Sequence, residues 1–368
     1  MREKEKGEEM KGIKVLLMAG GRGERFWPKS RASMPKQFLN LYGKDSLLQQ
    51  AFSRALEITG ETSDIYVITG KEYQALTSSQ LPQLPKENII VEPAGRNTAP
   101  AIGYASIVIE QRIKQDAVMI VMPSDHVVLN NTVFCQTINK AAEAADYFNS
   151  LVTIGMKPTR PEEGYGYIEC GQPLLPEVYQ VKRFVEKPPL QTALAFLKDG
   201  NYLWNAGIFV WKLSAFKNIL AAYAPSLADK LSKIRQFLLE GNCEKAEEQF
   251  LDLEARSIDY ALLERAREIL VVPGEFGWDD VGTWAALERI FTKDENENII
   301  QGEAEVLDSQ GNIIENTLAD KLIVAYRIDD MLIVNDKDVV LVTKKEASTD
   351  LKNVLAKLKD GKYKKLLR

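Results

Sequence analysis

An apolar run, Ile13–Met18, leads straight into Ala19-Gly20-Gly21-Arg22-Gly23-Glu24-Arg25. A glycine-rich turn after a strand lets the main chain approach a phosphate closely, with its amides pointing inward. Two common phosphate-binding patterns fail on spacing. There is no G-x-x-x-x-G-K-[ST], and Phe26 stands where a dinucleotide fingerprint needs its third glycine. By itself the loop reads equally well as a tight βα turn. Its neighbourhood adds chemistry, because Arg25, Lys29, Arg31 and Lys36 follow, interrupted by Pro28 and Pro35. Prolines remove backbone freedom, so the expectation is an extended segment presenting fixed cations to a polyphosphate.

Two carboxylates occupy comparable positions. Glu92 follows the apolar run Asn88–Val91, and Asp125 follows Ala117–Met122. If these runs are parallel strands, all three motifs converge on one sheet edge, where ligands of such sheets sit. The chain holds a single histidine, His126. One imidazole cannot build a multi-histidine metal site, and any Ser-His-Asp or Cys-His mechanism would run through His126 alone. A hydrogen-bonded structural role fits it better than a general base. Chemistry should rest on carboxylates, Lys, Arg and backbone amides.

The elements that position these groups alternate. Ile13–Met18, Asp64–Thr69, Asn88–Val91, Ala117–Met122 and Leu151–Gly155 read as buried parallel strands, and Leu47–Ile58, Ala99–Gln111 and Val133–Tyr147 have helical spacing. That alternation means βαβ units and a doubly wound sheet. Further on come strands Gly166–Glu169, Tyr179–Phe184 and Ala206–Trp211 and helices Pro189–Lys198, Leu213–Tyr223 and Ser257–Ala266. After residue 295 the strands shorten between turn signals at 309–312, 329–330 and 335–338. Ser348–Arg368 reads as a terminal amphipathic helix with a cation-rich end.

Composition narrows the class. With 47 basic against 52 acidic residues, net charge −5, the chain is not a basic nucleic-acid binder. Apolar residues at 45% allow a full core. Three scattered cysteines read as reduced thiols, no run approaches a membrane span, and residues 1–11 form a charged extension without a leader's apolar centre. The expectation is a cytoplasmic protein without membrane or nucleic-acid partners.

The run GGRGERFWPKSRASMPKQF resembles the signature of sugar-nucleotide pyrophosphorylases. Its W-P-x-S-R and P-K-Q-F elements are similar to the mannose-1-phosphate guanylyltransferase branch. The resemblance continues through EPAGRNTAPA (92–101), PSDH (123–126), GYGYIE (164–169), FVEKP (184–188), WNAGIF (204–209), SIDYALLE (257–264) and GWDDVGTW (277–284). Departures are mild: Glu24, Phe26 and Lys29 replace Thr, Leu and Leu of many relatives. Glu24 should therefore point away from a triphosphate or cap the next turn.

The resemblance implies an α/β fold: a Rossmann-like nucleotidyltransferase domain over 12–295 with a mixed, mainly parallel sheet. A small C-terminal β domain over 296–368, similar to a left-handed β-helix, would end in the terminal helix. The implied reaction is attack of mannose-1-phosphate on the α-phosphorus of GTP, giving GDP-mannose and pyrophosphate. The nucleophile is already an anion, so the step needs phosphate neutralisation and alignment, not a base. Magnesium is the implied cofactor, with Asp125 and Asp280 as its carboxylates; Asp279 is the neighbouring alternative. Arg25 and Lys36 would meet the triphosphate and Lys187 the sugar phosphate. Gly20, Gly21, Gly23 and Ser124 would lie at the nucleotide. Glu92 and Asn97 would read guanine, a carboxylate accepting from its N1 and N2 donors, although Arg96–Thr98 also reads as a turn and helix cap. Gly166, Glu186 and Asn205 would bind the sugar, with Trp204 and Tyr167 as wall and Asp259 in support.

Another hexose-1-phosphate or nucleotide, and a non-catalytic nucleotide-sugar sensor of the same fold, are the alternatives. The β domain and its helix either pack back on the catalytic domain or form the surface of a homodimer. Relatives with a second, cupin-type isomerase domain need histidine ligands, so a lone His126 points to the single-activity form.

Overall fold

In the computed structural model, residues 12–21 and 23–367 are described, and the charged extension read at 1–11 lies outside them. Contacts divide the chain into two compact units. One holds the chain to Gly20, Ala51–Ser124 and Val128–Trp278; the other holds Gly21–Gln50, Asp125–Val127 and the chain from Asp279. The units therefore do not follow a single cut after residue 295. The cation-bearing loop and Asp125 group with the C-terminal strands.

The first unit is built on nine strands: β1 (Ile13–Met18), β2 (Ile65–Gly70), β3 (Ile89–Glu92), β4 (Val118–Pro123), β5 (Leu151–Met156), β6 (Gly166–Leu175), β7 (Val178–Glu186), β8 (Tyr202–Lys212) and β9 (Ile269–Gly274). They form one sheet in the order β3-β2-β1-β4-β8-β5-β9-β7-β6, with β6 also against β8. The pairs β1/β2, β2/β3, β1/β4 and β5/β9 are parallel, and β8 enters antiparallel between β4 and β5. Helices α1 (Leu47–Thr59), α2 (Gln74–Gln80), α3 (Thr98–Ile113), α4 (Asn131–Phe148), α5 (Leu190–Asp199), α6 (Leu213–Tyr223), α7 (Pro225–Leu239) and α8 (Cys243–Leu251) complete the alternation.

The inner strands read as continuous apolar runs because both faces are covered. Leu16, Ile68, Met119 and Val121 are buried in one cluster with Ile102, Phe209, Trp211 and Phe216. Register decides where the functional ends lie. Met18 pairs with both Ile68 and Pro123, and Gly70 with Glu92. Gly20, Glu92 and Ser124 consequently leave the sheet at the same edge.

Four elements go beyond the sequence reading, the short helix α2 among them. Helices α7 and α8 carry sparse apolar stripes, only Leu231 and Ile234 being buried in α7, and β9 contains Pro273, a residue that usually speaks against a strand. Ser257–Ala266, expected as a helix, is a π-helical turn over Asp259–Leu263.

The second unit packs Phe26, Trp27, Leu39, Leu41 and Leu47 with Val281, Trp284, Ile299, Ile313, Leu332, Val334 and Leu351. Its strands are β10 (Ile299–Gln301), β11 (Ala304–Leu307), β12 (Ile313–Asn316), β13 (Ile323–Tyr326), β14 (Met331–Asp336) and β15 (Val339–Lys344). They stack as parallel rungs, β10/β12/β14 and β11/β13, closed by antiparallel β15. Asparagines hold the corners: Asn298 Oδ1 accepts from the Asn312 amide at 2.9 Å, and Asn312 Oδ1 from the Met331 amide at 2.9 Å. The terminal helix is shorter than expected. α9 covers Leu351–Lys359 and ends at Asp360-Gly361, before a final 3-10 turn at Lys364–Leu367.

Candidate active site

The segment from Gly23 to Phe38 is not extended. It folds into two 3-10 turns, Glu24–Phe26 and Lys36–Phe38, with Arg31 and Met34 bridged between them. Burial of Phe26 and Trp27 overrides the proline signal. Phe26 lies 5.2 Å from the Trp284 ring, whose Nε1 donates to the Trp27 carbonyl at 3.2 Å. Glu24 is exposed and caps nothing. Gly23 is essential to the shape: its φ is +60°, and a Cβ there would fall 2.4 Å from the Lys36 amide nitrogen.

The four cations of this segment divide into two functions. Lys29 pairs with Glu315 and donates to the Asn40 carbonyl at 3.2 Å. Arg31, buried, donates to Asp338 Oδ1 at 2.7 Å and to the carbonyls of Pro28 and Leu366, both at 3.1 Å. Both are therefore spent on holding the loop, which corrects the expectation that all four face a polyphosphate. Lys36 stands differently, its Nζ 3.0 Å from Asp125 Oδ2 and 2.5 Å from the Asp280 carbonyl oxygen, with the Phe26 ring 6.0 Å away. A Cβ on Gly282 would lie 3.2 Å from Asp280 Oδ2 and 3.4 Å from Arg25 Nη1, so the glycine lets both side chains approach the turn.

Burial would raise the Asp125 carboxyl, but the charges of Lys36 and His126 and the Lys36 hydrogen bond outweigh it and hold it below its ordinary value. His126 Nε2 stands 3.7 Å from Asp125 Oδ1, too distant for a hydrogen bond. Asp279 is separated from Asp280 by its partners. It accepts from Arg289 Nε at 2.5 Å and Nη2 at 2.8 Å, and from the Val281 amide at 2.8 Å. Val281 takes φ +45°, a strained value for a β-branched residue.

In the first unit, Gly20 lies against Glu92: a Cβ on the glycine would stand 3.2 Å from Oε1. Glu92 is buried, and burial together with the Glu72 charge pushes its carboxyl up to about 7. Asn97 is the N-cap of α3, with φ +69° and Oδ1 accepting from the Thr98 amide at 2.8 Å. Ser124 is fully buried and gives both its amide and its hydroxyl to the Met18 carbonyl. Its side chain locks β4 to β1. Gly21 is exposed, and its carbonyl accepts from Gln37 Nε2 at 3.0 Å.

A third group lies on β6, β7 and β8. A Cβ on Gly166 would be 2.5 Å from Glu186 Oε2 and 3.4 Å from Asn205 Cβ. Lys187 Nζ reaches Glu186 Oε1 at 2.5 Å. Burial alone would lower the Lys187 pKa; the Glu186 bond and the Glu186 and Asp259 charges raise it instead. Trp204 and Tyr167 are buried. Arg160, absent from the sequence reading, stacks over the Trp204 ring at 4.8 Å and donates to Tyr165 Oη at 3.3 Å. Nothing but the arginine in TRPEEGYGY could have flagged it.

The first unit carries a glycine turn at a parallel sheet edge with a buried acid beside it, and the second a lysine bonded to the Asp125 carboxylate and the Asp280 main chain; each is chemistry suited to nucleotide phosphates. The nucleotidyl transferase family matches residues 14–297. Among curated proteins, mannose-1-phosphate guanylyltransferases of Klebsiella pneumoniae and Escherichia coli are 38% and 37% identical, each over 94% of this chain and 74% of their own length. A Thermus thermophilus structure described as a mannose-1-phosphate geranyltransferase superposes with TM-score 0.85 at 31% identity, covering 94% of this chain and 99% of that one. The chain belongs to the nucleotidyl transferase family, in its mannose-1-phosphate guanylyltransferase branch. No helix among the described residues is long and apolar enough to cross a membrane.

Proposed function

We propose that this chain forms GDP-mannose and pyrophosphate from GTP and mannose-1-phosphate. The observation that carries the reading is Lys36, a buried ammonium donating to Asp125 and to the Asp280 main chain. A lysine so placed, with Arg25 beside Asp280, is suited to neutralise a triphosphate as an ionised sugar phosphate attacks its α-phosphorus. The sugar phosphate needs no base. What limits the step is repulsion between two phosphates and their alignment, which fixed cations supply. Lys187, tethered by Glu186, is the cation for the sugar phosphate, and Gly166, Glu186 and Asn205 meet the sugar hydroxyls. Gly20, Gly21 and Gly23 bring backbone to the nucleotide. Glu92 and Asn97 read the base, and Ser124 holds the strand end from which Asp125 projects.

The donor set suits a hard divalent cation, magnesium in this reading. Asp125 and Asp280 offer carboxylate oxygens, and no third His, Cys, Asp or Glu joins a ligand group among the described residues. Magnesium commonly takes one or two carboxylates and fills its other positions with phosphate and water. When bound it supplies charge neutralisation across both phosphates. We place the reaction in the cytoplasm. Leu307, Val324 and Tyr326 share an exposed face of β11 and β13, which we read as the homodimer surface.

Pyrophosphate release should be measured over a matrix of nucleoside triphosphates and hexose-1-phosphates, with and without magnesium. GTP with mannose-1-phosphate and magnesium should dominate; equal rates with UTP and glucose-1-phosphate would overturn the assigned specificity. Asp125→Ala and Asp280→Ala should each lower turnover by about 100-fold or more while the protein stays folded. Full activity in either removes that residue from the metal site.

A further inference from the structure

Asn205 is buried in β8, and its amide is nearly saturated within the protein. Oδ1 accepts from Thr153 Oγ1 at 3.0 Å and from the Gly207 amide at 3.2 Å, and Nδ2 donates to Asp259 Oδ1 at 3.0 Å. A flipped amide would set its NH2 against the Gly207 N–H and its oxygen against a carboxylate, two repulsive contacts. The orientation is therefore determined, and one N–H is the only polar group Asn205 has left to offer. Asp259 owes its place to the π-helical turn Asp259–Leu263, a rare geometry that concentrates at functional sites. The residue closing that turn, Glu264, accepts from the Glu186 amide at 3.2 Å. One turn thus braces both Asn205 and Glu186, and both pack closely on Gly166, where a Cβ would lie 2.5 Å from Glu186 Oε2 and 3.4 Å from Asn205 Cβ.

We propose that Asp259 is a positioning residue that makes Asn205 a donor-only partner, so that one sugar hydroxyl is read by an Asn205 donor and a Glu186 acceptor together. The inference rests on the sugar-binding reading of Gly166, Glu186 and Asn205 above. Such a hydroxyl is both acceptor and donor, and an analogue lacking it strands two buried polar groups, the kind of mismatch that gives strong discrimination. Burial, with the nearby Glu186 charge, pushes the Asp259 carboxyl up to about 6, while Lys187 and Ser257 pull it down. At pH 8 it is an ionised acceptor.

The test is steady-state kinetics at pH 8 with GTP, mannose-1-phosphate and its monodeoxy analogues. Wild type should reject one analogue by at least about 10-fold in kcat/KM. Asp259→Leu should raise KM for mannose-1-phosphate about 10-fold, leave KM for GTP within about 2-fold, and shrink that rejection below about 3-fold. Asp259→Asn, able to turn an amide oxygen toward Asn205, should keep most of the discrimination. Thr153→Val, which removes the opposite anchor, should shift discrimination the same way and decides the matter if Asp259→Leu does not fold. Unchanged discrimination in Asp259→Leu or Thr153→Val, or equal loss on both substrates, would overturn the proposal. If wild type ignores mannose-1-phosphate, the functional reading fails by itself; the same comparison on the hexose-1-phosphate it does use then decides the role of Asp259.

Discussion

Glu92, which we propose reads the base, carries a cost to the fold. It is buried, no described residue gives its carboxyl a hydrogen bond, and Glu72 repels it, so its pKa stands at about 7 against an ordinary 4.5. Between these values the folded chain keeps a proton that the unfolded chain releases. Stability is thus undiminished below about pH 4.5 and falls as pH rises through 7. The loss above pH 7 is on the order of 2–3 kcal/mol. Glu92→Gln should raise the melting temperature by about 5 °C at pH 8.5 and hardly at all at pH 4.5, while weakening GTP binding at pH 8.5. Equal melting shifts at the two pH values would sink the argument. The free carboxylate that destabilises the fold is the one suited to accept from a base.

At the scale of elements, the loop Gly23–Phe38 depends on partners far along the chain. Arg31 reaches Asp338 and the Leu366 carbonyl, and Asp336 Oδ2 is 3.8 Å away. Lys29 reaches Glu315, and Trp27 Nε1 also donates to the Leu366 carbonyl, at 3.2 Å. Arg31→Met leaves Asp336 buried beside a lost cation, a change that typically costs about 3 kcal/mol. Differential scanning calorimetry should register that loss, and kcat should fall because the same loop carries Arg25 and Lys36. Unaltered melting with unaltered kcat would show that the clamp does not matter.

Much of this scale was legible beforehand. The strand runs Ile13–Met18 and Leu151–Gly155, and helix Leu213–Tyr223, need only their own residues to be read. The cation clamp was not, because Glu315, Asp336 and Asp338 lie near the other end of the chain and nothing local distinguishes Lys29 or Arg31 from Lys36. The departures Phe26 and Lys29 find their reason here as well: one fills the core beside Trp284, the other pairs with Glu315.

For the whole molecule, the exposed face of Leu307, Val324 and Tyr326 predicts self-association. Sedimentation velocity should show a dimer for the wild type and a monomer for Val324→Asp, with the fold intact. A monomeric wild type at micromolar concentration would remove the interface.

The sequence alone determined the kinds of chemistry available. A glycine turn, acids after strands and a single histidine are local facts, and they already excluded a multi-histidine metal site while favouring phosphate handling. Only the tertiary structure decided which groups are committed and which are presented. It spent Lys29 and Arg31 on the C-terminal strands, gave Asp279 to Arg289 while leaving Asp280 beside Lys36, and braced Asn205 with Asp259. The reason is physical: a charge's role depends on the partner within hydrogen-bonding reach, and for these residues that partner is brought there by folding, not by neighbourhood along the chain.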